Sequence, residues 1–116
     1  MKKKVYVAGK MRGCDHYNFP AFDTAAKHLR AEGWTVINPA EMDRLYEGWG
    51  EYPPEEWEFN TEDATRMIMR DLSAITGCDA IYMLDGWEHS KGARAEIALA
   101  QFLGLEILNA GGEHRF

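Results

Sequence analysis

Two carboxylates occupy the apolar faces of two successive predicted helices. Asp71 falls within a stripe of apolar residues at helical spacing, made of Ala64, Met67, Ile68, Leu72 and Ile75. Glu96 lies beside the stripe of the next helix, made of Ala93, Ile97, Ala100 and Leu103. A buried, ionised carboxylate is costly unless it is paired, hydrogen-bonded or turned towards a cleft. The spacing therefore predicts that both acids share one acidic pocket.

A purely structural role is the alternative for these acids. A carboxylate near a helix N-terminus can satisfy the backbone N–H groups and the helix dipole, which would account for Glu96. This explanation suits Asp71 less well, because Asp71 falls in the middle of its predicted helix.

Length and charge restrict the class of protein. A chain of 116 residues, 46% of them hydrophobic, has room for one core, so we expect a single domain over residues 1–116. The net charge of −6 argues against nucleic acid as a partner, because a nucleic-acid-binding surface normally presents a basic face. There is neither an apolar run long enough to cross a membrane nor a charged-then-apolar leader, so no membrane partner is expected.

The cysteines and histidines predict no metal centre. Cys14 and Cys78 form no CxxC and have no histidine at ligand spacing, so neither a zinc site nor a disulfide framework is indicated. The histidines at positions 16, 28, 89 and 114 show no ligand spacing either. We therefore expect a reduced, cytoplasmic setting, with no metal and no cofactor.

Strand and helix patterns alternate along the chain. Strands are predicted at residues 5–8, 35–37, 80–84 and 106–108, and helices at about 18–33, from Asn60 through Asp71, and at 92–103. Residues 40–59 show no sustained period and are interpreted as a long loop with room for one helical turn. The alternation predicts an α/β fold: a single Rossmann-like (flavodoxin-like) domain with a parallel sheet of four to five strands and helices on both faces.

Glycines and cations follow the first predicted strand. Ligands of such sheets bind beyond the carboxyl ends of the strands, where Gly9, Lys10, Arg12 and Gly13 lie together with Ser90. This composition suits an anion such as a phosphate, although it is neither a GxGxxG motif nor a P-loop. The alternative is that the glycines only form turns, the cations are solvated, and Ser90 is a helix N-cap.

Three motifs carry a family resemblance. They are residues 6–13 (Tyr-Val-Ala-Gly-Lys-Met-Arg-Gly), 70–72 (Arg-Asp-Leu) and 90–97 (Ser-Lys-Gly-Ala-Arg-Ala-Glu-Ile). In this order they resemble the nucleoside 2-deoxyribosyltransferase superfamily and, within it, the deoxynucleoside 5′-monophosphate N-glycosidases. The resemblance implies that Glu96 attacks C1′ of the sugar to form a covalent glycosyl-enzyme. It also implies that Asp71 handles the proton of the departing base and that Tyr6 orients Glu96.

Ser90 indicates which substrate the resemblance favours. Transferases that act on free nucleosides usually carry an aspartate six residues before the nucleophile, whereas this chain has a serine there. A serine can donate a hydrogen bond to a phosphate that an aspartate would repel. The resemblance therefore implies a 5′-phosphate cradle made of Gly9, Lys10, Met11, Arg12, Ser90 and Gly92, with Gly13 as a further substrate-binding residue. Lys10 departs from the family pattern, because the glycosidases have a serine at that position.

The protonation states of the two acids are also an expectation. The chemistry requires Glu96 to be ionised, and the nearby helix N-terminus favours that form. Asp71, in a more apolar setting, is expected to hold a proton near neutral pH.

The resemblance also implies which residues lie near the base and how the protein assembles. Asn38 matches a position near the base, although the Asn-Pro pair also suffices to end a strand. Aromatic residues of the long loop either stack on a base or serve packing; they are Trp49, Tyr52, Trp57 and Phe59. Relatives form dimers or larger homo-oligomers in which a C-terminal residue completes the neighbouring site. Asn109 is the corresponding residue here, whereas residues 111–116 match no motif.

The expected activity is cleavage of the N-glycosidic bond of a 2′-deoxynucleoside, as its 5′-monophosphate, by hydrolysis or base transfer. One alternative is a sensor or scavenger that binds a nucleotide without turnover. Binding by such a protein would be indifferent to Glu96→Gln, whereas an enzyme would lose cleavage. A structural partner protein that uses the aromatic loop as its interface is a third possibility.

Overall fold

A computed structural model describes residues 3–58 and 60–109 of the chain. The strands are β1 (Lys4–Ala8), β2 (Thr35–Ile37), β3 (Ala80–Met83) and β4 (Glu106–Asn109). The helices are α1 (Phe19–Ala31), α2 (Pro39–Glu47), α3 (Thr61–Ile75) and α4 (Lys91–Leu103). Short turns precede α1 at Asp15–Asn18 and α4 at Trp87–His89.

The four strands form one parallel sheet in the order β2-β1-β3-β4. Tyr6 pairs with Ile37 on one side and with Ile81 on the other, which places β1 in the interior of the sheet. The chain leaves β1 towards β2 and later returns to β3 on the other side, so the strand order reverses at β1. A crevice opens at such a point beyond the carboxyl ends of the two central strands. The predicted α/β fold with a parallel sheet is confirmed, with four strands.

Helices cover both faces of the sheet. Val5 and Val7 lie in a core with residues of α1 and α2, whereas Tyr6 and Ala8 lie in a second core with residues of α3 and α4. Side chains alternate between the faces of a strand, so a strand covered on both sides is apolar throughout. All four of these side chains are fully buried.

Helix α2 corrects the prediction of a long loop over residues 40–59. The side-chain oxygen of Asn38 accepts a hydrogen bond from the Ala40 N–H at 2.9 Å, and Pro39 occupies the first helical position. Both are ordinary start signals of a helix. The helix was missed because its buried residues are Pro39, Ala40 and the charged Asp43, which form no apolar stripe. Gly48, with a φ of 71°, ends it.

The start of α3 agrees with its prediction. The Asn60 side chain accepts a hydrogen bond from the Asp63 N–H at 2.8 Å and thereby caps the helix that carries Asp71. Within the described ranges, no helix has the length and apolarity that a membrane span requires.

Candidate active site

A cleft of about 740 Å³ opens beyond the carboxyl end of β1, between α3 and the first turns of α4. It is lined by nine of the predicted site residues: Tyr6, Gly9, Lys10, Met11, Arg12, Asp71, Ser90, Gly92 and Glu96. Phe22, Pro39, Met67 and Ile68 add apolar walls. The cleft thus combines buried acids, cations and apolar surface.

Tyr6 and Glu96 form a buried hydrogen bond. The Tyr6 hydroxyl donates to Oε2 of Glu96 at 2.5 Å, and the two side chains are 0% and 5% exposed. Burial is the main cause that raises the pKa of Tyr6 well above its ordinary value, and the charge of Glu96 adds to it. The phenol therefore keeps its proton and acts as a fixed donor to the carboxylate.

Asp71 lies in the middle of α3 and reaches the same cleft. Its Oδ1 is buried and has no hydrogen-bond partner among the described residues. Burial is the largest cause that raises the pKa of Asp71 to about 7, and the charge of Asp43 raises it further. The positive charge of Arg70 and the nearby Tyr6 hydroxyl act in the opposite direction. Asp71 can therefore hold or release a proton near neutral pH.

The ionisation of Glu96 differs from the expectation. Burial and then the charge of Asp71 raise the pKa of Glu96 well above its ordinary value, against the hydrogen bond from Tyr6. Glu96 is the sixth residue of a helix that starts at Lys91, whereas the helix dipole acts mainly within the first turn. The helix N-terminus therefore gives Glu96 little of the stabilisation that the sequence predicts for its ionised form. The charge of Asp71 thus opposes the ionisation of Glu96.

The loop after β1 and the start of α4 make one wall of the cleft cationic. Lys10 and Arg12 line it from the loop, and Lys91 lines it from α4. Ser90 is the N-cap of α4, because its Oγ accepts a hydrogen bond from the Ala93 N–H at 3.1 Å. That bond uses the oxygen and leaves the hydroxyl proton to donate, so the capping role and an anion-binding role are compatible. The first N–H groups of a helix favour an anion at this place.

The glycines around the cleft differ in why glycine occupies each position. A Cβ at Gly9 would lie 2.8 Å from Cδ1 and 2.9 Å from Cβ of Leu84, so Gly9 is required for packing against β3. Gly13 has a φ of 84° and does not line the cleft, which agrees with the turn interpretation. Gly92 lines the cleft, and a Cβ there would meet Ile68 and Ser90 only at ordinary contact distances.

An unusual backbone turn supports the cationic loop. His16, Tyr17 and Asn18 have positive φ values of 50°, 52° and 62°, a conformation that costs non-glycine residues energy. Nδ2 of Asn18 donates to the Lys10 carbonyl oxygen at 2.8 Å, and the Tyr17 hydroxyl donates to the Trp57 carbonyl oxygen at 2.9 Å. Sequence reasoning missed this turn, because its residues have no glycine to announce positive φ.

The aromatic residues of the loop after α2 pack on one another. His16 stacks on Tyr52 with ring centroids 4.0 Å apart, and Trp49 meets Trp57 edge-on at 4.7 Å. Trp49 also packs near Phe19 of α1. These three loop residues do not line the cleft, which favours the packing role over base stacking. Phe59 lies outside the described residues.

Two predicted substrate-binding residues lie away from the cleft. Asn38 is 1% exposed, and its amide both caps α2 and donates through Nδ2 to Oδ1 of Asp23 at 3.0 Å. These hydrogen bonds favour the alternative role of Asn38 as a strand end and helix cap, and its role near the base stays a prediction. Asn109 ends β4 beside Met83 and is 7% exposed. The tail at residues 111–116 lies outside the described residues.

Sequence reasoning also missed Asp43 and Arg70, which form an ion pair next to the acids. Asp43 was hidden in the segment interpreted as a loop, and Arg70 was noted only as part of a motif. Within the described part of the chain, no group of three His, Cys, Asp or Glu side chains could hold a metal ion.

Comparisons with known proteins support the fold. Residues 3–109 match the family model described as a domain of unknown function, DUF4406. Among solved structures, a 2-deoxyribosyltransferase from the psychrotolerant bacterium Bacillus psychrosaccharolyticus is similar with a TM-score of 0.63 and 22% sequence identity. The similarity covers 91% of this chain and 70% of that one, and at this identity it demonstrates a shared fold. No curated protein matches the chain.

Proposed function

We propose that this chain, which belongs to the DUF4406 family, cleaves the N-glycosidic bond of a 2′-deoxynucleoside 5′-monophosphate through a covalent intermediate on Glu96. The observation that carries the proposal is the buried hydrogen bond from Tyr6 to Glu96. In the same cleft lies Oδ1 of Asp71, which has no hydrogen-bond partner in the part of the chain that the structure describes. The fold shared with a 2-deoxyribosyltransferase supports a nucleoside as the class of substrate.

The reaction consists of two displacements at C1′ of the sugar. In the first, a carboxylate oxygen of Glu96 forms a bond to C1′ while the bond from C1′ to the base nitrogen breaks. The electron pair of that bond goes to the base, which takes the proton of Asp71. In the second, water attacks C1′, its proton passes to Asp71, and the ester bond to Glu96 breaks. A second free base in place of water would complete a base transfer instead.

The two acids divide one proton between them. The reactive form carries the proton on Asp71 and the negative charge on Glu96. Positive charge that develops at C1′ favours the ionised form of Glu96, and the Tyr6 hydroxyl stabilises and orients that carboxylate. Burial keeps the pKa of Asp71 at about 7, so that it can protonate the base and recover the proton from water.

The cationic wall supports a 5′-phosphate as part of the substrate. Lys10, Arg12 and the start of α4 offer positive charge and N–H donors, and the Ser90 hydroxyl adds a donor. The chain carries a net charge of −6, so a local cationic wall is needed to attract an anionic nucleotide.

A substrate panel tests the proposal. Purified protein is incubated with 2′-deoxynucleoside and ribonucleoside 5′-monophosphates and the matching free nucleosides, with and without a second base, and released base is measured by chromatography. Glu96→Gln is compared with Glu62→Gln, which makes the same change at an exposed position of α3.

We expect base release from a deoxynucleoside monophosphate by the wild type and by Glu62→Gln, and at least a 10³-fold loss in Glu96→Gln, as for removal of a nucleophile. Intact-protein mass spectrometry on quenched reactions should detect a sugar phosphate on the wild type and none on Glu96→Gln. Release in water defines a glycosidase, and base exchange defines a transferase. Tight nucleotide binding without turnover, unchanged in Glu96→Gln, would contradict the proposal and favour a sensor.

A further inference from the structure

Helix α2 brings a third buried carboxylate to the neighbourhood of the two acids. Asp43 is 3% exposed and does not line the cleft, so it has no direct role in the proposed displacements. Its Oδ1 accepts a hydrogen bond from Nη2 of Arg70, the residue that precedes Asp71 on α3. A buried carboxylate that meets an arginine beside a proposed proton donor requires an explanation.

The Arg70 side chain is held by α2 from several directions. Besides Asp43, its Nη1 lies 3.5 Å from Oε2 of Glu47, and its guanidinium carbon lies 4.9 Å from the centre of the Tyr46 ring. Its Nε is buried without a hydrogen-bond partner among the described residues. The guanidinium therefore ties the turn of α3 that carries Asp71 to one face of α2.

The two charges of this pair act on Asp71 with opposite signs. The negative charge of Asp43 raises the pKa of Asp71, and the positive charge of Arg70 lowers it. Burial raises the pKa of Asp43 itself to about 7, against the charge of Arg70, so this negative charge is complete only above neutral pH. Asp43 also raises the pKa values of Tyr6 and Glu96, so its charge reaches the whole acidic site.

Other charged groups surround the same carboxyl. Tyr6 faces Asp71 from β1 and Glu96 faces it from α4. The remaining polar groups of the cleft are common to all the variants below; they are Lys10, Arg12, His89, Ser90 and Lys91.

We infer that Asp43 and Arg70 are positioning residues for Asp71: their ion pair fixes the turn of α3 that carries it, and the balance of their charges sets the electrostatic field at its carboxyl. The inference rests on the proposed function for the catalytic meaning of Asp71, whereas the effect on its titration is independent of turnover.

The test is the titration of the Asp71 carboxyl, followed by 13C NMR with selective aspartate labelling and assigned by the loss of its signal in Asp71→Asn. Asp43→Asn removes the like charge and leaves the Arg70 cation uncompensated. Both changes favour the ionised form of Asp71, so its titration midpoint should fall by about one pH unit. The basic limb of the pH–rate profile should move in the same direction.

A double variant separates a field effect from simple damage. Asp43→Asn combined with Arg70→Met removes the uncompensated cation as well, so the midpoint should return part of the way towards the wild type. Damage to packing predicts no such return, because the double variant loses more contacts than the single one. Glu47→Gln is the matched control on α2, since Glu47 contacts Arg70 at the longer distance of 3.5 Å, and its midpoint should shift less than that of Asp43→Asn.

The inference is overturned if the Asp71 midpoint of folded Asp43→Asn, checked by circular dichroism, equals that of the wild type. It is also overturned if Glu47→Gln shifts the midpoint as much as Asp43→Asn does. If Asp43→Asn does not fold, Asp43→Glu replaces it; a longer carboxylate at this site should displace Arg70 and change the midpoint, and an unchanged midpoint overturns the inference. If no base is released but the NMR midpoints shift as expected, the proposed function is refuted and this inference is not.

Discussion

At the scale of residues, the site is a set of acids that the fold makes harder to ionise. Asp71 has its pKa raised to about 7 and Glu96 has a pKa well above its ordinary value, in both cases mainly through burial. A folded protein that binds protons more tightly than its unfolded chain loses stability as pH rises between the two pKa values. The site thus reduces the stability of the protein at neutral and alkaline pH, as functional sites often do.

Asp71→Asn should therefore stabilise the protein at high pH while it impairs catalysis. The protonated Asp71 contributes in full to the free energy of unfolding below its unfolded pKa, near 3.8. That contribution falls as pH rises to about 7, because the folded pKa is about 7. The fall is at most about 1.4 kcal/mol per unit of pH. Urea denaturation at pH 5 and pH 8 measures this. The free energy of unfolding of Asp71→Asn, relative to that of the wild type, should increase from pH 5 to pH 8, whereas that of Glu62→Gln should not. If Asp71→Asn and the wild type differ by the same free energy of unfolding at both pH values, the raised pKa assigned to Asp71 is refuted.

At the scale of elements, polar side chains cap three of the four helices in the described part of the chain, and some of them also shape the site. Asn38, Asn60 and Ser90 accept hydrogen bonds from the N–H groups of Ala40, Asp63 and Ala93, respectively. Each cap satisfies a backbone donor that the helix itself leaves without an acceptor. Ser90 caps α4 at the cationic wall of the cleft, whereas the amide of Asn38 bonds to α2 and to Asp23.

The variant Asn38→Ala distinguishes a helix N-cap from a residue that recognises the nucleobase. The variant should lose about 1–2 kcal/mol of unfolding free energy, because it loses the cap of α2 and a hydrogen bond to Asp23. Its relative rates with different bases should match those of the wild type. Chemical denaturation and the substrate panel measure the two effects. A changed order of preferred bases without loss of stability would support the role in base recognition.

At the scale of the whole molecule, the topology assembles the cleft from distant parts of the chain. Tyr6 comes from the interior strand β1, Asp71 from α3 and Glu96 from α4, and the last two helices pack on the same face of the sheet. On these two helices Met69, Phe102 and Leu103 remain 65%, 86% and 41% exposed. Exposed large apolar side chains on adjacent helices are a feature of surfaces that bury themselves against a second copy.

We propose, from the family resemblance and these exposed side chains, that the protein self-associates through α3 and α4. The wild type should sediment as a dimer or larger species, and Phe102→Asp should sediment as a single chain, because burial of a phenylalanine contributes about 2 kcal/mol on each side of a symmetric interface. Leu45→Asp is the matched control, since Leu45 is 75% exposed and lies on α2, outside the two helices of the expected interface. A wild type that sediments as a single chain, or a Leu45→Asp variant that alone dissociates, would contradict this expectation.

Much of the site was predictable because its signals are local. The apolar stripes around Asp71 and Glu96 have helical period, and the four strands have short apolar runs bounded by glycine, proline or charged residues. Period and punctuation depend on a few neighbouring residues, so they determined the strands, three of the four helices and the inward positions of both acids. The alternation of these elements then determined a parallel sheet and the edge at which its loops meet.

Only the tertiary structure decided which of these side chains meet and how they ionise. Helix α2 has no apolar stripe, so its buried Asp43 and the ion pair with Arg70 on α3 could not be recognised from local pattern. The same is true of the turn at His16, Tyr17 and Asn18, which contacts between distant segments support. The pKa of Glu96 depends on burial by both layers and on Asp71. Desolvation and charge pairing are set by distances in space, and the spacing of residues along the chain does not specify those distances.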